Sequence, residues 1–171
     1  MLKVISNGVN TTFANDDAII TDVGVEVLGN LLSNDFDSEQ DNQSVTEYLV
    51  DTDGDGMSDI SGAIDRPGVV SGFNDLGDFV ADAGILTLNF DGSFNFKPAA
   101  DFTGNLNIPY TVCDDARPDA ACAEATLVIS VMDVKRDFGD GPDNYPAVWH
   151  RAVTDLNDDN ELDGATVYGW E

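Results

Sequence analysis

At 171 residues and 42% hydrophobic side chains, the chain has room for one ordinary domain plus an appendage, and enough apolar material for a packed core. It carries 33 acidic residues against seven Lys and Arg, a formal net charge of -26, which excludes nucleic acid and anionic membrane surfaces as direct partners because both need clustered cations. No run of about 18 apolar residues could span a bilayer, so direct membrane insertion is not expected. The start, Met1-Leu2-Lys3-Val4-Ile5-Ser6-Asn7, lacks a long apolar stretch, and any secretion signal or anchor is expected elsewhere in a longer parent.

In chain order, short apolar or alternating runs predict strands over 23–28, 45–50, 85–90, 93–96, 107–112 and 125–131, separated by clusters of Asn, Asp, Gly and Pro. The clearest hairpin is Leu86-Thr87-Leu88-Asn89-Phe90-Asp91-Gly92-Ser93-Phe94-Asn95-Phe96, with Asp91-Gly92 at the turn. No helical apolar period exceeds about ten residues, and strands at this spacing predict an all-β sandwich. Leu127, Ile129 and Val131 share one face of the last strand, Tyr110 and Val112 one face of the strand before it, and all five read as core.

Between 50 and 85 lies Asp51-Thr52-Asp53-Gly54-Asp55-Gly56-Met57-Ser58-Asp59. Calcium takes six to eight hard oxygen ligands, and a short loop supplies them when alternate residues point inward around a turn glycine. Asp51, Asp53, Asp55 and Asp59 fit loop positions one, three, five and nine, the Met57 carbonyl fits position seven, and Gly56 is the turn residue. Position twelve is Gly62, so Asp65 or a more distant carboxylate has to close the shell. The alternative is a solvated acidic turn; against it stands the mutual repulsion of four carboxylates within nine residues. The surplus of Asp, 27 against six Glu, favours turns and metal loops over helices throughout.

The only cysteines, Cys113 and Cys122, flank a turn between the last two predicted strands and are expected to form a disulfide across the hairpin mouth, implying an oxidising, extracellular compartment. Two free thiols or half a metal site are the alternatives; the spacing fits no usual zinc pattern.

Five motifs in order carry a resemblance: Ala14-Asn15-Asp16-Asp17, Gly29-Asn30-Leu31-Leu32-Ser33-Asn34-Asp35-Phe36-Asp37, Gly84-Ile85-Leu86-Thr87-Leu88, Asp101-Phe102-Thr103-Gly104 and Tyr110-Thr111-Val112-Cys113-Asp114. Over about residues 11–134 the chain resembles the tandem cadherin-like and immunoglobulin-like repeats of bacterial surface adhesins. The resemblance implies a Greek-key β-sandwich of about seven strands, stiffened by calcium near the domain ends. By position it makes Asp16, Asp17, Asn34, Asp35 and Asp37 candidate ligands of a second calcium site, with Asp133 able to contribute. The alternative for these residues is turn and cap chemistry. Such repeats usually reach the Gly-Leu-Thr-Leu hairpin quickly, whereas here 51–83 intervenes as an insertion, the place where a binding function would sit.

After Val134 the character changes, and 135–171 reads as an acidic extension. Asp137-Phe138-Gly139-Asp140-Gly141-Pro142-Asp143-Asn144-Tyr145 is similar to the opening of the following module in some large bacterial surface proteins. Within the extension Asp155, Asn157, Asp159, Glu161 and Asp163 repeat the alternating oxygen pattern, a third candidate site whose alternative is a polar linker.

No nucleophile and base accompany His150, the single histidine, so no enzyme is expected. Two classes remain: a calcium-rigidified extracellular spacer or adhesion domain, holding one to three or more ions beside neighbouring modules of a larger surface protein, or a calcium-dependent module that binds carbohydrate or another cell-surface protein through 51–83 or the Trp149 and Trp170 tail.

Overall fold

The computed structural model describes residues 9–133. Eleven strands occur among them: β1 (Thr12–Phe13), β2 (Asp17–Asp22), β3 (Val27–Asn30), β4 (Phe36–Asp37), β5 (Gln43–Val50), β6 (Ile60–Ser61), β7 (Pro67–Asn74), β8 (Phe79–Leu88), β9 (Ser93–Pro98), β10 (Gly104–Asp114) and β11 (Cys122–Met132). A single 3-10 turn, Leu31–Ser33, follows β3. Among the described residues no helix is long and apolar enough to cross a membrane.

The long strand β10 organises the sandwich. On one side it pairs antiparallel with β11 from Gly104↔Val131 to Cys113↔Cys122. On the other its start pairs with β7 and its end with β5, so it belongs to both sheets and joins them at one corner. One sheet continues from β11 to β2, which runs parallel to it; the other runs β7, β8, β9, β3.

Strict alternation explains the layering, because successive side chains of a strand point to opposite faces. Leu106, Ile108, Tyr110 and Val112 of β10 and Leu127, Ile129 and Val131 of β11 face inward. Val70, Leu86, Leu88, Phe94 and Phe96 answer from the opposite sheet, and Leu31 plugs the end of the core. The expected hairpin forms as β8 and β9: the Gly92 amide donates to the Asn89 carbonyl at 3.0 Å, and Gly92 takes φ 78. The expected disulfide also forms, between register partners at the mouth of β10 and β11.

Two expectations are corrected. The run 23–28 is not one strand; a turn with Gly24 at φ 71 and the Val25 amide on the Asp22 carbonyl occupies its start, and only Val27 and Leu28 are strand, in β3. The segment 51–83 is no looped insertion over its whole length, because it supplies β6, β7 and half of β8 and buries Val70 and Ala83 in the core. The glycines that disguised β7 as a turn have a packing reason. A Cβ at Gly72 would sit 2.8 Å from the Asn105 carbonyl oxygen and 3.0 Å from Phe102 and Leu106, so only glycine lets β7 meet β10. The strand count thus rises from about seven to eleven, three of them two-residue pairings. Residues 135–171, with the candidate ligands Asp155, Asn157, Asp159, Glu161 and Asp163, lie outside the described residues.

Candidate metal centre

The acidic loop connects β5 to β6. Its ends are fixed by β-pairing, Leu49↔Ser61 and Val50↔Ile60, and by the Asp59 amide donating to the Val50 carbonyl at 2.9 Å. Inside, a chain of carboxylate-to-amide bonds sets the path. Asp51, only 9% exposed, accepts from the Asp53 and Gly54 amides through Oδ1 (3.2 and 2.7 Å) and from Gly56 through Oδ2 (3.0 Å). Asp53 accepts from Asp55, Asp55 accepts from Met57, and Asp59 accepts from the amide and hydroxyl of Thr52. The Asp51 carbonyl is tied to the sheet by the buried Ser71 hydroxyl.

Gly54 and Gly56, at φ 81 and 86, make this coil possible, since an L side chain rarely adopts that backbone. A Cβ at Gly54 would also lie 2.6 Å from the Phe79 ring, so the loop rests directly on β8. The result is convergence: carboxylate oxygens of Asp51, Asp53 and Asp59 all lie within 4.8 Å of one another. Three hard oxygens at that spacing suit a cation such as calcium and not a thiol- or imidazole-seeking metal.

Other expected ligands of this loop stand apart. The Asp55 carboxylate turns to the Met57 amide, at 2.7 Å. Gly62, at loop position twelve, packs against the Tyr48 ring and donates to its carbonyl. Asp65 is engaged elsewhere: its amide donates to the Leu88 carbonyl and its carboxylate accepts from the Phe90 amide at 3.3 Å.

A second acidic group is assembled from segments distant in sequence. The Tyr110 hydroxyl donates to Asp17 Oδ2 (2.8 Å) and the Asn15 carbonyl (2.9 Å), while the Asn15 amide donates to Asp35 Oδ1 at 2.7 Å. Asn34 bonds the Asp16 carbonyl, and Asp16 Oδ1 accepts from the Thr126 amide. Burial, with the charge of Asp16, raises the Asp17 carboxyl above its usual range; burial, with the charge of Asp17, does the same to Asp35. The Tyr110 hydroxyl is pushed far upward by burial and by its bond to Asp17. Asp35 Oδ2 and Asp37 Oδ2 are buried and accept no hydrogen bond within the described protein. These carboxylates are crowded and partly desolvated, but among the described residues only Asp51, Asp53 and Asp59 bring three carboxylate oxygens within 4.8 Å of one another.

Parallel register sets Asp17 beside Leu127 and Asp22 beside Met132, the last residue of β11.

The family model of the bacterial Ig domain matches residues 9–130, well over half of the chain. The chain belongs to the bacterial Ig domain family. No curated protein matches it significantly. Domains of this family are generally non-catalytic.

Several residues that build the Ig domain's acidic groups escaped the sequence reading. Tyr110 reads as core, and it is 1% exposed, yet a buried phenol must find a partner and this one organises Asn15 and Asp17. Ser71, Thr52 and Phe79, which anchor the loop, carry no local signal because their contacts depend on where β7 and β8 lie. Asp114, 6% exposed, accepts from the Ala116 and Ala121 amides and from the Asn10 side chain, closing the β10–β11 turn and holding the entering chain. Its position directly after Cys113 is the one signal that could have found it.

Proposed function

We propose that this bacterial Ig domain is a calcium-rigidified module of an extracellular bacterial surface protein, acting as a spacer or adhesion domain beside neighbouring modules. The observation that carries the reading is the convergence of Asp51, Asp53 and Asp59 within 4.8 Å on a loop whose backbone is already coiled around the Asp51 carboxylate. Calcium there neutralises like charges that otherwise repel, and ties the loop to the sheet through Asp51 and Ser71. A second site at Asp16, Asp17 and Asp35, with Asn34 and Asp37 alongside, rests on a different observation: crowded, partly desolvated carboxylates beside the partnerless Oδ2 atoms of Asp35 and Asp37. A disulfide on a strongly acidic chain supports an oxidising exterior location.

The test is a calorimetric calcium titration of chelator-stripped protein, paired with thermal melts in calcium and in chelator. At about 100-fold excess over the dissociation constant each site adds about 2.7 kcal/mol of stability, so a clear rise in melting temperature is expected. Asp53→Ala should remove most of the loop's share. Absence of both binding heat and melting shift would reduce the acidic groups to solvated turns.

A further inference from the structure

The Cys113–Cys122 bond does not bridge the two sheets through the core. It joins neighbouring strands of one sheet, and its flanking residues fix which face it occupies: Val112 and Asp114 of β10 point inward, so Cys113 points outward. Cys122 is exposed at the start of β11, and Cys113 is half-buried. The neighbour β2 covers β11 only from Leu127 to Met132, leaving the Cys122 end of that edge without it. The hairpin mouth also has a second closure, independent of sulfur. The Asp114 amide donates to the Ala121 carbonyl at 3.0 Å, and the Asp114 carboxylate holds the Ala116 and Ala121 amides and Asn10.

We propose that this disulfide is a surface thiol-exchange site, open to neutral and cationic thiols and guarded electrostatically against anionic ones, and that the fold survives its opening. An external thiolate attacks the exposed Cys122 Sγ in line with the S–S bond. A new bond forms between the thiol sulfur and Cys122, the Cys113–Cys122 bond breaks, and its electron pair leaves on Cys113 Sγ, which then takes a proton from water. The Thr46 hydroxyl, 3.5 Å from Cys113 Sγ, faces that leaving sulfur. A second thiolate attacking the mixed disulfide at the external sulfur releases Cys122 and an oxidised thiol pair, completing two-electron reduction of the bridge.

Selectivity comes from the surrounding charge. Asp115 and Asp119 lie in the turn with Arg117 as its sole cation, Glu124 follows on the same face of β11 as Cys122, and the chain as a whole carries -26. Electrostatic steering changes association rates by about tenfold or more and fades with salt.

The experiment uses the full chain without denaturant and three thiols: cationic cysteamine, neutral 2-mercaptoethanol and anionic 2-mercaptoethanesulfonate, each normalised to its rate on an uncharged small disulfide. Acid quench and peptide mapping locate the first mixed disulfide, and circular dichroism follows the fold. Expected are reaction under native conditions, the adduct on Cys122, an unchanged β-spectrum, and cysteamine faster than the sulfonate by about tenfold at low salt, the ratio collapsing toward one in 1 M salt. The double variant C113S/C122S should still melt cooperatively. A bridge that yields only in denaturant, an adduct on Cys113, equal rates for the three thiols, or a double variant without a cooperative transition would overturn the proposal.

Discussion

The two acidic regions of this Ig domain are built by opposite routes. The loop from Asp51 to Asp59 is local: nine consecutive residues coil around one carboxylate, and its oxygens are held by the loop's own amides. The group of Asp16, Asp17 and Asp35 is composite, gathered from two segments around a core tyrosine and partly desolvated by the sandwich. A local site can form or loosen without disturbing the sheets, whereas a composite site puts its repulsion into the fold itself. Cation binding should therefore order the first and stabilise the whole domain through the second.

Substitutions can break this contrast, and the largest effect is expected at Asp51. Asp51→Ala removes the acceptor for three loop amides from a largely buried position, which should cost about 3 kcal/mol in denaturant unfolding without calcium. Tyr110→Phe comes next at about 1–2 kcal/mol in the same experiment, because the Asn15 carbonyl and Asp17 lose their donor. Asp53→Ala removes a single exposed acceptor and should cost about 0.5 kcal/mol or less in chelator while abolishing most of the loop's calcium-linked gain. A large loss in chelator would show that the loop is built by Asp53 and not merely loaded through it.

The last effect is one of pH. Asp17 and Asp35 have folded pKa values raised above the ordinary 3.8, so the fold binds their protons more tightly than the unfolded chain does. Their contribution is fully present below about pH 3.8 and is lost as pH rises through the raised values. In chelator, the double variant D17N/D35N should therefore lose that acid-side gain and be slightly more stable than the parent at pH 7, by about 1 kcal/mol or less given partial solvent screening. Calcium should reverse the order, because only the parent has charges to bind it. Greater stability of the variant in calcium as well would remove the composite group from the cation account.

Much of the fold was legible because its signals are short-range. The Asp91-Gly92 turn and the alternation of β10 and β11 follow from neighbouring residues, and so does the loop from Asp51, whose amide contacts span at most nine positions. What was not legible depends on distant packing. β7 hid behind Gly68 and Gly72 because the reason for Gly72 is the approach of β10, more than 30 residues later. Val23 and Val25 read as strand because alternation cannot register the turn at Gly24. The composite group was reached only through a family resemblance, because Asp16 and Asp17 lie in one segment and Asn34 and Asp35 in another, and only the folded chain joins them. No residue-local rule could have named Tyr110 as the group's organiser, since only the folded sheet brings Asp17 to its hydroxyl.

The most direct test of the account is residue-resolved amide hydrogen exchange, compared in calcium and in chelator. Calcium should slow exchange at the amides of Asp53, Gly54, Gly56 and Thr52, and at Asn15, whose amide already donates to Asp35, while the β8–β9 hairpin changes only with global stability. Identical exchange in the two conditions, at both the loop and Asn15, would contradict the claim that cations stiffen this domain.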